Sequence, residues 1–270
     1  MKEIIGFIGA GNMCQALIQG WLAKSVMAPD TIFVSNRTPG KVKRLVEESH
    51  VQSAATNEEL VDASNVILIA VKPQDLVAAV EPIQSTFRPD QIVISLAAGI
   101  PLKRLKKLLP QCPHLVRVMA NTPAQIMHGA FGYCTLNSNL VVDRLMERLF
   151  MPLGLTVKLE EGEPFQAFSI ATSAGVGFVF ELMIYWQEWL EERGIDSVEA
   201  QQMTIQTFRG ASELALQSMP QSLNELQAKV TSKKGITAAG LASMRELDIE
   251  RLLRYSFEKS AIRDGELSQD

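Results

Sequence analysis

The feature that most constrains the fold is the passage from an apolar strand into a glycine turn at the N-terminus. Met1-Lys2-Glu3-Ile4-Ile5-Gly6-Phe7-Ile8 leads straight into Gly9-Ala10-Gly11-Asn12-Met13-Cys14. A strand that ends this way and opens an amphipathic helix (Ala16, Leu17, Trp21, Leu22) brings the N–H groups of a helix N-terminus to a pyrophosphate. Gly9 permits the tight turn, and the missing side chain at Gly11 lets phosphate approach the backbone. A dinucleotide is the implied ligand; an ordinary strand-to-helix turn is the alternative. Cys14 takes the third small position, where Gly or Ala is usual, so the helix is expected to pack slightly farther from the strand.

From residue 1 to about 160, strand and helix signals alternate, the pattern of a doubly wound parallel sheet. Near-continuous apolar runs at 31–35, 65–71, 91–96 and 115–119 follow the first strand, as strands covered on both faces require. Two weaker strands, 130–136 and 155–159, flank a helix over 139–150 and are expected to close one edge. Around Glu160-Glu161-Gly162-Glu163-Pro164 strand signals stop and a proline stands near a helix start. The expected division is an α/β Rossmann-type domain over 1–162 followed by an all-α dimerisation domain over 163–270. Helices are expected at 164–193, 196–218, 221–229, 237–247 and 248–265. The first of them is apolar nearly all round, with Phe178, Phe180, Ile184, Tyr185, Trp186 and Trp189 among its residues. Such a helix must be buried on every face, and a small domain can hardly enclose it alone, so a second subunit is expected against it.

Composition narrows the function classes. A chain of 270 residues, 47% hydrophobic and 21% charged, can bury a large core. Its 26 basic and 30 acidic residues leave a formal charge of -4, with no Lys/Arg block to track a phosphate backbone, so no nucleic-acid partner is expected. No apolar run reaches membrane-spanning length, and the N-terminus enters a strand without a charged region and cleavage site; no membrane partner and a cytoplasmic location are expected. Cys14, Cys112 and Cys134 are scattered and odd in number, which suits buried free thiols. His50, His114 and His128 are isolated too, so metal-free chemistry is expected.

The second strand carries the cofactor choice. In dinucleotide folds an acid at its end selects the free 2'-hydroxyl of NAD, but here the strand ends Ser35-Asn36-Arg37-Thr38. A hydroxyl and a guanidinium in place of the carboxylate suit a 2'-phosphate, so NADP (as NADPH) is favoured and NAD remains possible. The alternative is that Arg37 and Lys41 form the solvated start of a helix. The third strand ends Ala70-Val71-Lys72-Pro73-Gln74 and the fourth Ser95-Leu96-Ala97-Ala98-Gly99, both at the carboxyl edge where ligands of open α/β sheets bind. Small residues at 97–99 leave space for a nicotinamide ring. Lys72 is open to three readings: a catalytic ammonium, a cofactor contact, or part of a simple turn.

Taken together, Gly9-Ala10-Gly11-Asn12-Met13, Ala70-Val71-Lys72-Pro73-Gln74, Ala97-Ala98-Gly99 and Met119-Ala120-Asn121-Thr122-Pro123-Ala124 resemble the pyrroline-5-carboxylate reductases of proline biosynthesis. The similarity runs the full length and includes Val230-Thr231-Ser232-Lys233-Lys234-Gly235-Ile236-Thr237-Ala238-Ala239-Gly240, which looks like the family's substrate loop. The resemblance implies reduction of 1-pyrroline-5-carboxylate to L-proline with NADPH or NADH. It also implies a helical domain intertwined with its mate in a dimer, often assembled further into a decamer. The cofactor set expected on this reading is Gly9, Gly11, Asn12, Met13, Ser35, Arg37, Asn57, Ala70, Val71, Lys72, Pro73, Ala97, Ala98 and Asn121. The substrate set is Ser173, Ser232, Gly235 and Thr237.

The loop makes chemical sense residue by residue. Ser232 and Thr237 supply hydroxyls, Gly235 lets backbone approach the ligand, and a helix beginning near Thr237 presents free N–H groups, which together form a carboxylate receptor. Thr237 is the expected catalytic residue, donating a hydrogen bond to the imine nitrogen; a capped helix after a Lys-rich turn is the alternative. Three departures from the family pattern stand out. S-G-S-G-P-A-Y-V-F is replaced by Thr172-Ser173-Ala174-Gly175-Val176-Gly177-Phe178-Val179-Phe180, the first Pro of M-P-N-T-P is Ala120, and the loop has Lys234 and Ile236 where Gly and Thr or Ala are usual. The Lys for Gly exchange is penalised if that residue needs a positive φ. A catalytically weak paralogue with a binding or regulatory role, and a related imine reductase, are the competing functions.

Overall fold

The computed structural model describes residues 3–269; Met1 and Lys2 of the expected first strand, and Asp270, lie outside the described residues. Eight strands form one sheet: β1 Ile5–Ile8, β2 Ile32–Ser35, β3 Gln52–Ser53, β4 Val66–Ile69, β5 Ile92–Ser95, β6 His114–Ala120, β7 Gly129–Thr135 and β8 Gly154–Lys158. Their spatial order is β3-β2-β1-β4-β5-β6-β7-β8, so the chain reverses direction across the sheet at β1. β3 carries no apolar signature, since both its residues are exposed, and it is the one strand absent from the expectation. All pairings are parallel except β6 with β7, whose connection over 121–128 is too short for a crossover. The helix after β7 provides that crossover, and β8 returns parallel to β7 at the edge.

Helices cover both faces of the sheet: α1 Asn12–Ala23, α2 Pro39–Ser49, α3 Asn57–Ala63, α4 Leu76–Val80, α5 Leu102–Leu108, α6 Leu140–Phe150 and α7 Glu163–Phe168. One face is built around Trp21, which packs on Phe7 and Phe150, with Phe150 in turn on Phe131. The Trp21 Nε1–H donates to the Leu149 carbonyl at 2.6 Å, so this buried indole is satisfied. The other face gathers Leu60, Leu76, Leu105 and Phe165. Cys14, Cys112 and Cys134 are free and buried, and Cys14 lies within the Trp21 face, where burial pushes its thiol pKa up.

By contacts the chain forms two compact units, one running to Ala174 and rejoined from Ser260, the other Gly175–Lys259. This boundary differs from the expected division at 162/163, because Phe165, Ser169 and Ile170 beyond the acidic stretch are buried in the first unit. The second unit contains α8 Gly175–Glu191, α9 Ser197–Gln217, α10 Leu223–Lys229, α11 Ile236–Glu246 and the start of α12 Ile249–Gln269. Between α7 and α8 the residues Ser169–Ala174 form a π-helical turn. Hydroxyls explain it: Ser169 Oγ and Thr172 Oγ1 each donate to the carbonyl four residues back, at 2.8 Å, drawing those carbonyls away from regular pairing.

Glu163–Glu191 is therefore one unbroken helical run of 29 residues, and an 18-residue window within it has a mean hydropathy of 1.7, so the run is long and apolar enough to cross a bilayer by length and composition. This corrects the expectation that no segment reaches membrane-spanning length. Gln166, Ser169, Thr172, Ser173 and Glu181 interrupt the apolar string without interrupting the helix. Within the second unit α8 packs on α9, with Trp186 edge-on to Phe208 at 5.3 Å, yet Phe180, Tyr185 and Trp189 remain more than half exposed. The apolar girdle of α8 is thus covered on part of its circumference only.

Candidate functional site

The end of β1 is held from both sides. Ala70 N–H donates to the Ile8 carbonyl and Gly9 N–H to the Ser35 carbonyl, each at 2.8 Å. The chain then turns at Gly9 with φ +108°, and a Cβ there would lie 2.9 Å from the carbonyl carbon and oxygen of Ala70. Gly9 is a glycine because the protein itself demands it. Gly11 differs: a Cβ there would meet nothing nearer than the Ala70 oxygen at 3.8 Å, an ordinary contact. The protein leaves room at Gly11 for a side chain the sequence does not supply, as expected where a ligand needs the space. Gly11 is also the N-cap of α1, and among the described residues no side chain caps this end, so the first-turn amides at Asn12 and Met13 face outward from an exposed rim. The residues present therefore fit a pyrophosphate.

One residue of this turn escaped the sequence reading. Asn36 Oδ1 accepts from Ala10 N–H at 3.2 Å and its Nδ2 donates to the Thr38 carbonyl at 3.1 Å, tying the glycine turn to the chain leaving β2. Only the β1–β2 register, with Ile8 opposite Ser35, brings these residues together. Further along the rim, Ser35 is buried while Arg37 stands open, its side chain 88% exposed and its Nη1 3.7 Å from Asp75 Oδ1. Of the two, Arg37 is the group presented outward. Lys72 is exposed, and its carbonyl accepts from Asp75 N–H at 2.9 Å, closing a short turn through Pro73. Asn57 Nδ2 is engaged by the Ala79 carbonyl at 3.2 Å, joining the start of α3 to α4. Ala97 and Ala98 follow β5, which pairs with β4, so they stand beside the Ala70–Pro73 stretch at the same carboxyl edge.

Asn121 and Ser173 also tie elements of the first unit together. Asn121 Oδ1 accepts from Ala130 N–H at 2.9 Å and its Nδ2 donates to the Thr172 carbonyl at 3.0 Å, so both ends of the amide are in use. Ser173 Oγ donates to the Ala120 carbonyl at 2.9 Å. Together they fasten the π turn to the end of β6, and Ser173 retains only acceptor capacity for a ligand.

In the second unit, Gly235 N–H donates to the Ser232 carbonyl at 3.0 Å, and a Cβ at Gly235 would run into Ser232 Oγ. Gly235 is the N-cap of α11, and among the described residues no side chain caps it. The first helical bond is Ala239 N–H to the Gly235 carbonyl at 3.1 Å, leaving the amides of the first turn free. Thr237 is exposed inside this turn and is not the N-cap. Lys234 has φ +59°, so the positive φ that a glycine would favour is present and this lysine bears it. Ile236, the other departure, is 94% exposed.

The two glycines of the first turn separate fold from ligand. Gly9→Ala should lower stability by about 2 kcal/mol or more, from the disallowed φ and the clash with Ala70. Gly11→Ala should leave the urea midpoint almost unchanged yet weaken dinucleotide binding at least roughly tenfold. Denaturant melts and cofactor titration on both variants check this; equal behaviour of the two would contradict it.

Comparison with known proteins agrees with this layout. Residues 4–99 match the family described as NADP oxidoreductase, coenzyme F420-dependent, and residues 163–267 the family described as pyrroline-5-carboxylate reductase dimerisation. The chain is 31% identical over 268 residues to the pyrroline-5-carboxylate reductase of Pseudomonas aeruginosa, covering 98% of this chain and 97% of that one. It is 30% identical over 271 residues to that of Methanosarcina acetivorans, covering 100% and 98%. A solved pyrroline-5-carboxylate reductase from Coxiella burnetii superposes with a TM-score of 0.91 at 27% identity, over 99% of each chain. With the likeness running through both units, the chain belongs to the pyrroline-5-carboxylate reductase family.

Proposed function

We propose that this protein reduces 1-pyrroline-5-carboxylate to L-proline with NADPH, or NADH, as the hydride source. The observation that carries the reading is the space at Gly11 beside uncapped helix amides, in a chain whose relatives along its whole length are named pyrroline-5-carboxylate reductases. When bound, the reduced nicotinamide supplies a hydride to the carbon of the C=N bond. The amides of Asn12 and Met13 hold the pyrophosphate, Arg37 takes the 2'-phosphate, and Ala97 and Ala98 keep the ring's place free of side chains. Ala70, Val71, Lys72 and Pro73 form the wall beside it. Ser35, Asn57 and Asn121 act through the ties that shape this edge.

Ser232, Gly235 and the free amides of α11 receive the substrate carboxylate, and the Thr237 hydroxyl hydrogen-bonds the imine nitrogen as that nitrogen gains electron density, with the proton that completes the amine coming from solvent. The strain at Lys234 costs the loop on the order of 1–2 kcal/mol and leaves this donor set in place. Self-association accounts for the apolar girdle of α8, which the dimerisation family spans, and a dimer is its smallest form, with a decamer built from dimers. Coverage by a second copy, not by lipid, is the reading this match favours for the 163–191 helix. Three free thiols suit a reducing, cytoplasmic compartment.

NADPH oxidation in the presence of 1-pyrroline-5-carboxylate tests the reading, and Thr237→Val sharpens it. Loss of a donor that strengthens in the transition state removes about 2–4 kcal/mol, so kcat should fall roughly 30- to 1000-fold while NADPH affinity and thermal stability stay nearly constant. Wild-type turnover in a well-folded Thr237→Val protein would contradict the role. Light scattering at low micromolar concentration should give at least twice the 29.8 kDa chain mass; a stable monomer would contradict the coverage of α8.

A further inference from the structure

We infer that Asp75 is a specificity-determining residue for the dinucleotide. It competes with the 2'-phosphate of NADPH for Arg37 and thereby narrows the preference over NADH. The inference rests on the cofactor reading given above and goes beyond it to a residue that reading does not use.

The geometry begins at β1, where β2 and β4 lie on either side. The chain leaving β2 carries Arg37 and no acid; the chain leaving β4 makes the turn Pro73–Asp75 and brings a carboxylate to the same rim. Asp75 is the more enclosed partner, its side chain 42% exposed against 88% for Arg37. Its backbone is pinned by the bond from its own N–H to the Lys72 carbonyl at 2.9 Å, and the next residue, Leu76, is fully buried. The acid is therefore the fixed member, and the guanidinium is the one that comes to it.

The contact is a single one at 3.7 Å between Arg37 Nη1 and Asp75 Oδ1, long and not bidentate. A pair this open contributes little to the fold, so its consequence falls on what else the guanidinium can bind. A 2'-phosphate must draw Arg37 away from Asp75, or share it while its two negative charges stand near a fixed carboxylate. Both options weaken NADPH. A 2'-hydroxyl carries no such charge, and as a donor it is compatible with a nearby carboxylate, the partner an acid at the end of β2 provides in NAD-selective folds. Asp75 thus supplies, from the strand on the other side of β1, a weaker form of the acid that the end of β2 lacks.

The test is direct binding of NADPH and of NADH to the full chain, with Asp75→Asn, Arg37→Ala and the double variant beside the wild type. Asp75→Asn should tighten NADPH roughly three- to tenfold and leave NADH unchanged or slightly weaker, with the gain shrinking as salt is raised. In the Arg37→Ala background the gain should fall below about twofold, because nothing is left to compete for. Weaker NADPH binding by Asp75→Asn would mean that the acid positions Arg37 for phosphate. An equal change for both cofactors, no change, or a full gain without Arg37 would overturn the inference as well. If the wild type binds neither cofactor, the cofactor reading itself fails; if it binds NADPH and Asp75→Asn leaves the ratio untouched, only the role of Asp75 fails.

Discussion

Everything at the carboxyl edge of the first unit depends on how β1 ends. Its last carbonyl is taken by Ala70 N–H, the next amide is given to the Ser35 carbonyl, and Gly9 turns the chain where a Cβ would collide with Ala70. These contacts pin β1 between β2 and β4 at the point where the strand order reverses, which is where an open α/β sheet leaves a crevice. With the turn fixed by the protein, α1 must start at Gly11 with its amides unpaired, and the room at Gly11 becomes room for something else.

The second unit follows a different constraint. Its first helix, α8, carries more apolar surface than its own neighbours cover, since Phe180, Tyr185 and Trp189 stay largely exposed although Trp186 and Phe178 find aromatic partners on α9 and α12. Burial at roughly 25 cal/mol per Å² makes such a surface a strong drive to associate. The loop before α11 is built for the opposite purpose: a glycine N-cap, a serine folded back on it, and a lysine held at positive φ leave a helix end open. One part of the unit therefore leaves apolar surface uncovered, and the other leaves a helix N-terminus without a side-chain cap.

Much of this was legible in the residues. Long apolar runs such as Val66–Ile69 and Ile92–Ser95 announce strands covered on both faces, and the change of texture at Glu160-Glu161-Gly162 announces the helical half. What stayed hidden depends on register and on competition between hydrogen bonds. β3 is too short and polar to show a pattern; the π turn comes from hydroxyls bonding back along the helix; and the 29-residue run from Glu163 is invisible to a count of consecutive apolar residues. Of the glycine turn, Gly9 was readable because its positive φ and the contact with Ala70 admit no side chain. Asn36 and Asp75 were not, since each acts on a segment far away in sequence. Asn121 and Ser173, expected among the ligand contacts, also hold the π turn to β6, which no local pattern discloses. The buried Arg117, lying over the Phe165 ring and paired with Glu161, likewise fastens the 161–165 stretch to β6 in a way that no local pattern discloses.

The central claim is that a dinucleotide pyrophosphate sits on the open amides behind Gly9. A crystal structure of the protein with NADP bound tests it most directly. The account predicts pyrophosphate oxygens within about 2.7–3.2 Å of the Asn12 and Met13 amides, no side chain between phosphate and Gly11, and the 2'-phosphate on Arg37. A pyrophosphate seated elsewhere, with those amides hydrated and Gly11 untouched, would contradict it.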